Sequence, residues 1–280
     1  MTDVRDTRAA FGQQLRDLRK DAGLSGRRFA SLAGWHPSKV SKIEYGKQTP
    51  TEDDVRTWCT LAGADKYIPD LIAGLRNIDA AYLEWRRILG GGVRRRQQLA
   101  ADIEATTQLI RGYDPALVPG LLHTPSYAEA IIRQVIEFNE VPSDVEAAVA
   151  ARMERQQQFL YRGDHKVHYL IGEQSLYTTV GDDEVMFGQL DRLLSAMTLP
   201  RVLLGIVPLM APYRVSATNF VIHDQRLVLV EGVGAALNLT QPRELALYSR
   251  AFDVLAKQSV TGRGARELIT AALARRADGK

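Results

Sequence analysis

A single cysteine, Cys59, excludes an internal disulfide and any metal site built on a cysteine cluster. It shares a helical apolar pattern with Val55, Trp58 and Ala62, so it reads as a small core residue rather than a reactive thiol. Long apolar runs are missing as well, and a stretch of roughly eighteen such residues is what a membrane helix needs. The opening MTDVRDTRAAFGQQ lacks the apolar centre of a signal peptide, which leads us to expect a cytoplasmic protein. Charge of one sign is scarce too: the net value of +3 does not by itself announce a nucleic-acid partner.

A catalytic constellation is the next absence. His165 and His168 have a spacing that suits metal on a helix, but a strand begins there and turns the two side chains to opposite faces. His223-Asp224 falls at a strand end and reads as loop decoration, and Ser175 lacks the glycine pattern of a nucleophile elbow. Asp182 and Asp183 are placed to cap a helix rather than to work as an acid–base pair. Gly90-Gly91-Gly92 has no Gly-Lys-Ser/Thr after it, so it reads as a flexible joint and not as a phosphate loop. The expectation is a protein without catalysis, cofactor or metal.

What is present is a chain with 45% hydrophobic and 25% charged residues, the balance of a protein that buries a core. Its charge is unevenly spread. Residues 1–50 hold ten Lys/Arg against five Asp/Glu, and the remainder holds 26 against 28, so the basic excess lies wholly at the front. That is the distribution of a molecule with one module facing phosphates.

The front module reads as five helices. Phe11, Leu15, Leu18 and Arg19 are spaced for a first helix that Gly23 stops. Ser25 caps a second, Gly26 to Ala33, buried through Phe29, Ala30 and Leu32. Gly34-Trp35 makes a tight turn, and His36-Pro37-Ser38 opens a third helix that buries Val40 and Ile43 and ends at Tyr45-Gly46. Thr51 caps a fourth over 52–62, and a fifth is expected over 66–88 with a break near Gly74. Two short helices joined through Gly34, the second basic outside, are what a helix-turn-helix requires.

The segment LRDLRKDAGLSGRRFASLAGWHPSKVSKIEYGKQTP resembles the repressor-type helix-turn-helix of the Cro/phage-repressor (xenobiotic-response-element) superfamily. The resemblance implies double-stranded DNA as partner, with base edges read from Pro37, Ser38, Lys39 and Lys42. It implies phosphate contacts from Ser25, Arg27, Arg28 and Lys47, and a structural ion pair between Arg19 and Glu44. Gly26 stands where relatives often carry Gln, which shifts that contact to Arg27 or Arg28. Each exposed Lys or Arg can also be read as a solvated face residue.

Beyond the joint, a helix is expected over 93–112, another from Thr124-Pro125 through Ile132, and a third over 143–161 with a Ser143/Glu146 capping box. Strands are expected at 167–171 and 202–207, a hairpin about Asp224-Gln225, a helix over 182–197, and closing helices over 242–257 and 266–277. The fold class is therefore mainly α: a five-helix helix-turn-helix domain over 1–78, a helical linker over 79–112, and a larger α+β domain over 113–280 with a small sheet of three to five strands.

The ordered phrases VPGLLHTPSYAEAII, ARMERQQ, VGDDEVMFGQLDRLL, VLLGIVPLMA, NFVIHD and LVLVEG resemble the C-terminal domain of unknown function of actinobacterial, antitoxin-like (WhiJ-like) regulators. That resemblance implies a transcription regulator with a small acidic partner protein encoded nearby, or alternatively an antitoxin that binds DNA only for autoregulation. A homodimer is expected, because one module covers little DNA, with Leu99, Ile103 and Leu109-Ile110 as an apolar stripe. For the second domain two inputs stay open. A small-molecule effector would use a pocket near Trp85, Tyr127 and Tyr177, whereas an acidic protein would meet a surface of Arg133, Arg152 and Arg155.

Overall fold

The computed structural model describes residues 4–77, 82–84, 92–233 and 235–278. They fall into two compact units: 1–82 with 238–244, and 83–237 with 245–280. Trp85 and the first two glycines of the joint lie outside the described residues.

The first unit holds α1 (Val4–Asp21), α2 (Gly26–Ala33), α3 (Pro37–Glu44), α4 (Glu52–Leu61) and α5 (Ile68–Asn77). Its core gathers Phe11, Leu15, Phe29, Val40, Ile43, Val55, Trp58 and Leu71, and Cys59 is buried among them. Phe29, Trp35 and Trp58 form an aromatic nucleus in which the Phe29 and Trp58 centroids are 4.4 Å apart. Burying each such ring contributes roughly 1.5–3 kcal/mol. Trp58 Nε1 donates to the Leu15 carbonyl at 2.8 Å, which satisfies the indole N–H of the buried Trp58. Leu32, expected inside, is 45% exposed. The expected break at Gly74 is not found: a 3-10 turn over Asp65–Tyr67 precedes an α5 that runs on to Asn77.

After α5 the chain carries β1 (Tyr82–Glu84), α6 (Val93–Ala105), β2 (Leu109–Asp114), α7 (Pro125–Asn139), α8 (Val145–Tyr161), β3 (Lys166–Gly172), α9 (Asp183–Ala196), β4 (Val202–Val207), β5 (Phe220–His223), β6 (Leu227–Glu231), β7 (Ala235–Leu239), α10 (Pro242–Gln258), β8 (Val260–Thr261) and α11 (Gly262–Asp278), most of them in the second unit. The sheet is not small: eight strands run in the order β1-β7-β6-β5-β2-β3-β4-β8. β2, β3 and β4 are parallel, β5 and β6 continue antiparallel from β2, and β8 closes antiparallel on β4. The main core lies between this sheet and its helices, around Ile110, Leu122, Tyr127, Leu176, Leu190, Ile206 and Ile269.

Two expected helix limits are corrected. The helix predicted over 93–112 stops at Ala105, and Leu109-Ile110 belong to the central strand β2, so no helical stripe joins them to Leu99. α8 starts at Val145 without the Ser143 capping box. Asp144 instead reaches across to α6, its carboxylate accepting the backbone N–H of Val93 at 3.0 Å and of Arg94 at 2.8 Å. Gly92 makes that approach possible: at φ +90, a Cβ there would stand 2.5 Å from Asp144 Oδ2. Among the described residues no helix is long and apolar enough to cross a membrane, and no cluster of His, Cys, Asp or Glu is built to hold a metal ion.

Candidate nucleic-acid interface

The geometry of α2 and α3 follows from their ends. Ser25 adopts extended backbone and its Oγ accepts the Arg28 N–H at 3.2 Å, the bond that starts α2. Gly34 stops α2 at φ 68 and ψ 25, a left-handed conformation that costs glycine little. Three residues after Gly34, α3 begins with Pro37 in its first turn. His36 rather than a hydroxyl residue is the cap: its Nδ1 accepts the Ser38 N–H at 3.2 Å and lies 2.8 Å from Ser38 Oγ. The contact holds the exposed Ser38 side chain against the helix start.

α3 then divides into two faces. Val40, Ile43 and Glu44 are buried, while Pro37, Ser38, Ser41 and Lys42 are exposed. Arg27 and Arg28 on α2 and Lys47 after α3 are exposed as well. Lys39 lies apart from this set. Its Nζ is 2.6 Å from Asp54 Oδ1 and 4.2 Å from the centre of the Trp35 ring, a position between α3 and α4. Asp54 is the N3 residue of the α4 capping box, exchanging bonds of 3.1 Å with Thr51. Burial pushes the Asp54 carboxyl up, but the donors from Lys39 and Thr51 outweigh it and hold the group below its ordinary value.

Beneath the exposed face sits a buried pair. Arg19 Nε donates to Glu44 Oε1 at 2.5 Å, Nη2 to Oε2 at 3.0 Å, and Nη1 to the Leu24 carbonyl at 2.5 Å. Both side chains are under a tenth exposed. This fork ties α1 to the end of α3 and to the turn before α2. Gly12 lets the helices meet, since a Cβ there would fall 2.3 Å from the Ile43 carbonyl oxygen. Arg16, one turn before Arg19, lies 3.7 Å from Glu44 Oε2 and 5.2 Å from the exposed Tyr45 ring. Ser41, Arg16 and Tyr45 were missed from sequence, although the i, i+3 spacing from Ser38 and from Arg19 points to the first two.

The second unit turns its polar groups inward. Arg152, expected at the surface, is 5% exposed; Nη1 donates to His123 Nδ1 at 3.0 Å and Nε to Gln97 Oε1 at 3.3 Å. His123 Nε2–H in turn donates to the Val118 carbonyl at 2.7 Å, which fixes a neutral ring, and burial holds its pKa well below the ordinary value. Burial, with Arg155 and Arg96 nearby, lowers Arg152 to about 9. Burial raises Glu104 to about 7 against the opposing pull of Arg155 and Arg152. Arg155 Nε stands 3.2 Å from Glu104 Oε2, and Arg133 is engaged by Glu129, so the proposed basic surface is not there. Tyr127 is wholly buried and stacks edge-on against His123, while Tyr177 lies under Arg275. His165 stacks on Phe159 and His168 meets Phe252 edge-on, so the two imidazoles have different surroundings. His223 is buried rather than decorative, with Nδ1 3.2 Å from Thr107 Oγ1.

Two short helices joined by a left-handed glycine, a basic solvent face and a braced third helix define a DNA-binding regulator of the helix-turn-helix class. Residues 10–71 match the family model described as a helix-turn-helix domain. Residues 97–271, well over half the chain, match the family described as a domain of unknown function (DUF5753), and the chain belongs to that family. No curated protein and no solved structure matches the chain.

Proposed function

We propose that this protein is a sequence-specific regulator that reads the major groove of double-stranded DNA with the exposed face of α3. The observation that carries the reading is the division of that helix, with Pro37, Ser38, Ser41 and Lys42 outside and Glu44 locked inside by Arg19. Lys42 supplies a point donor suited to guanine O6/N7, and the exposed hydroxyl of Ser38 suits a base edge. Arg27, Arg28 and Lys47, with the N-terminus of α2 at Ser25, hold the flanking phosphates. In this reading Lys39 positions α3 against α4 and does not touch bases.

One module covers too little DNA for useful discrimination, so the operator consists of two half-sites bound by a pair of chains. The test is selection of bound duplexes from a random pool, followed by gel-shift titration of the winning sequence. A two-fold symmetric consensus retarded as one complex of two chains is the expected result. A pool that shows no enrichment would remove the reading.

A further inference from the structure

Ser38, Lys42 and Tyr45 follow one another at four and three residues, so the exposed face of α3 runs on into the turn that closes the helix. Tyr45 is the C-cap of α3 and is 56% exposed. Beyond it the chain folds back, and the Lys47 N–H donates to the Lys42 carbonyl at 2.8 Å. Over the Tyr45 ring lies the guanidinium of Arg16 from α1, its carbon 5.2 Å from the ring centre. Arg16 approaches Glu44 Oε2 only to 3.7 Å, and that carboxylate is already forked by Arg19. Two guanidiniums thus share one carboxylate, which leaves a positive charge uncompensated at this end of α3. Arg16 Nε is enclosed, but Nη1 and Nη2 reach solvent and make no hydrogen bond among the described residues.

We propose that Arg16, held on the Tyr45 ring, clamps a phosphate of the DNA backbone beyond the C-terminal end of α3, with the Tyr45 hydroxyl as a second donor. A recognition helix meets base edges with its N-terminal residues, so its other end comes up against the sugar–phosphate wall of the groove. There the two Nη groups of a guanidinium offer planar, paired donors that match phosphate oxygens. The contact with the aromatic ring holds the guanidinium in place beforehand, so less side-chain freedom is lost on binding. The clamp rests on the reading of α3 as the groove helix. It adds a contact from α1, outside the helix-turn-helix pair.

The test uses the full chain and the selected duplex, with a neutral methylphosphonate placed at one backbone position at a time. Neutralising the clamped phosphate is expected to weaken wild-type binding about tenfold. Arg16→Gln should lose at least about tenfold on the unmodified duplex, and the same methylphosphonate should then cost it nothing further. Its salt slope should be shallower by about one unit per chain, with the preference for the selected over a scrambled duplex unchanged. Tyr45→Leu removes the ring and the hydroxyl at an exposed position and should lose affinity through the same phosphate. That second variant keeps the test decisive if Arg16→Gln fails to fold. Additive losses at every position, or an unchanged salt slope, would overturn the clamp and leave the groove reading standing. A changed duplex preference would move Arg16 to a base edge and overturn it too. Wild-type binding to no duplex at all would remove both readings.

Discussion

In the first unit Arg27, Arg28, Lys42 and Lys47 stand in solvent, and the enclosed guanidinium of Arg19 is closed by a bidentate carboxylate. In the second, Arg152 is equally enclosed, but its hydrogen bonds go to an imidazole nitrogen and an amide oxygen. The first arrangement leaves free cations to face an external polyanion and satisfies the buried one internally. The second leaves polar valence inside the fold. The difference lies in what meets an enclosed guanidinium: a carboxylate in the first unit, neutral groups in the second.

The comparison breaks most sharply at Arg19. Arg19→Ala strands Glu44 in the core and should lower the stability of the chain by about 3–5 kcal/mol, measured by urea unfolding. An unchanged transition would mean that the pair does not brace α3. Gly12→Ala comes next, because its Cβ collides with the Ile43 carbonyl. About 1–3 kcal/mol is expected from the overpacked contact, with loss of DNA affinity following the displacement of α3. In the second unit Glu104→Gln sharpens the contrast through pH. A carboxyl raised from 4.5 to about 7 binds its proton more tightly in the folded state. Wild-type stability should therefore fall as pH rises through that window and level off above it, and the variant should lose that slope. Denaturant midpoints of both proteins at about pH 5 and about pH 8 decide it, and parallel lines would refute the burial of a titrating carboxyl. The smallest effect belongs to Lys47→Ala, which should weaken binding to every duplex alike and make the salt slope shallower by about one unit.

Helix ends were legible because the residues that make them act locally. Ser25, Thr51, Thr124 and Asp182 each cap the helix that follows within three residues, and Gly34 takes the left-handed angle its position demands. The basic face of α3 was legible for the same reason, since exposure follows helical spacing. What escaped depends on partners far along the chain. The spacing that groups Lys39 with the exposed face of α3 does not show that α4 brings Asp54 within 2.6 Å of its ammonium. The Ser143/Glu146 capping box expected for α8 does not form, and Asp144 beside it serves the N–H groups of α6, some fifty residues earlier. Arg152 has the helical context of a surface residue and is drawn inside by His123 and Gln97. The size of the sheet was missed because β7 and β8 are short segments whose identity comes from their place in it, not from their own pattern.

The measurement that bears most directly on the account is the affinity of wild type and Lys42→Ala for the selected duplex and for a scrambled one of equal length, at two salt concentrations. If α3 reads bases, wild type should prefer the selected duplex at both salts. Lys42→Ala should then lose about 1–3 kcal/mol on that duplex and little on the scrambled one. An equal loss on both duplexes would make Lys42 a phosphate contact and contradict the assignment of the α3 face as the reading surface.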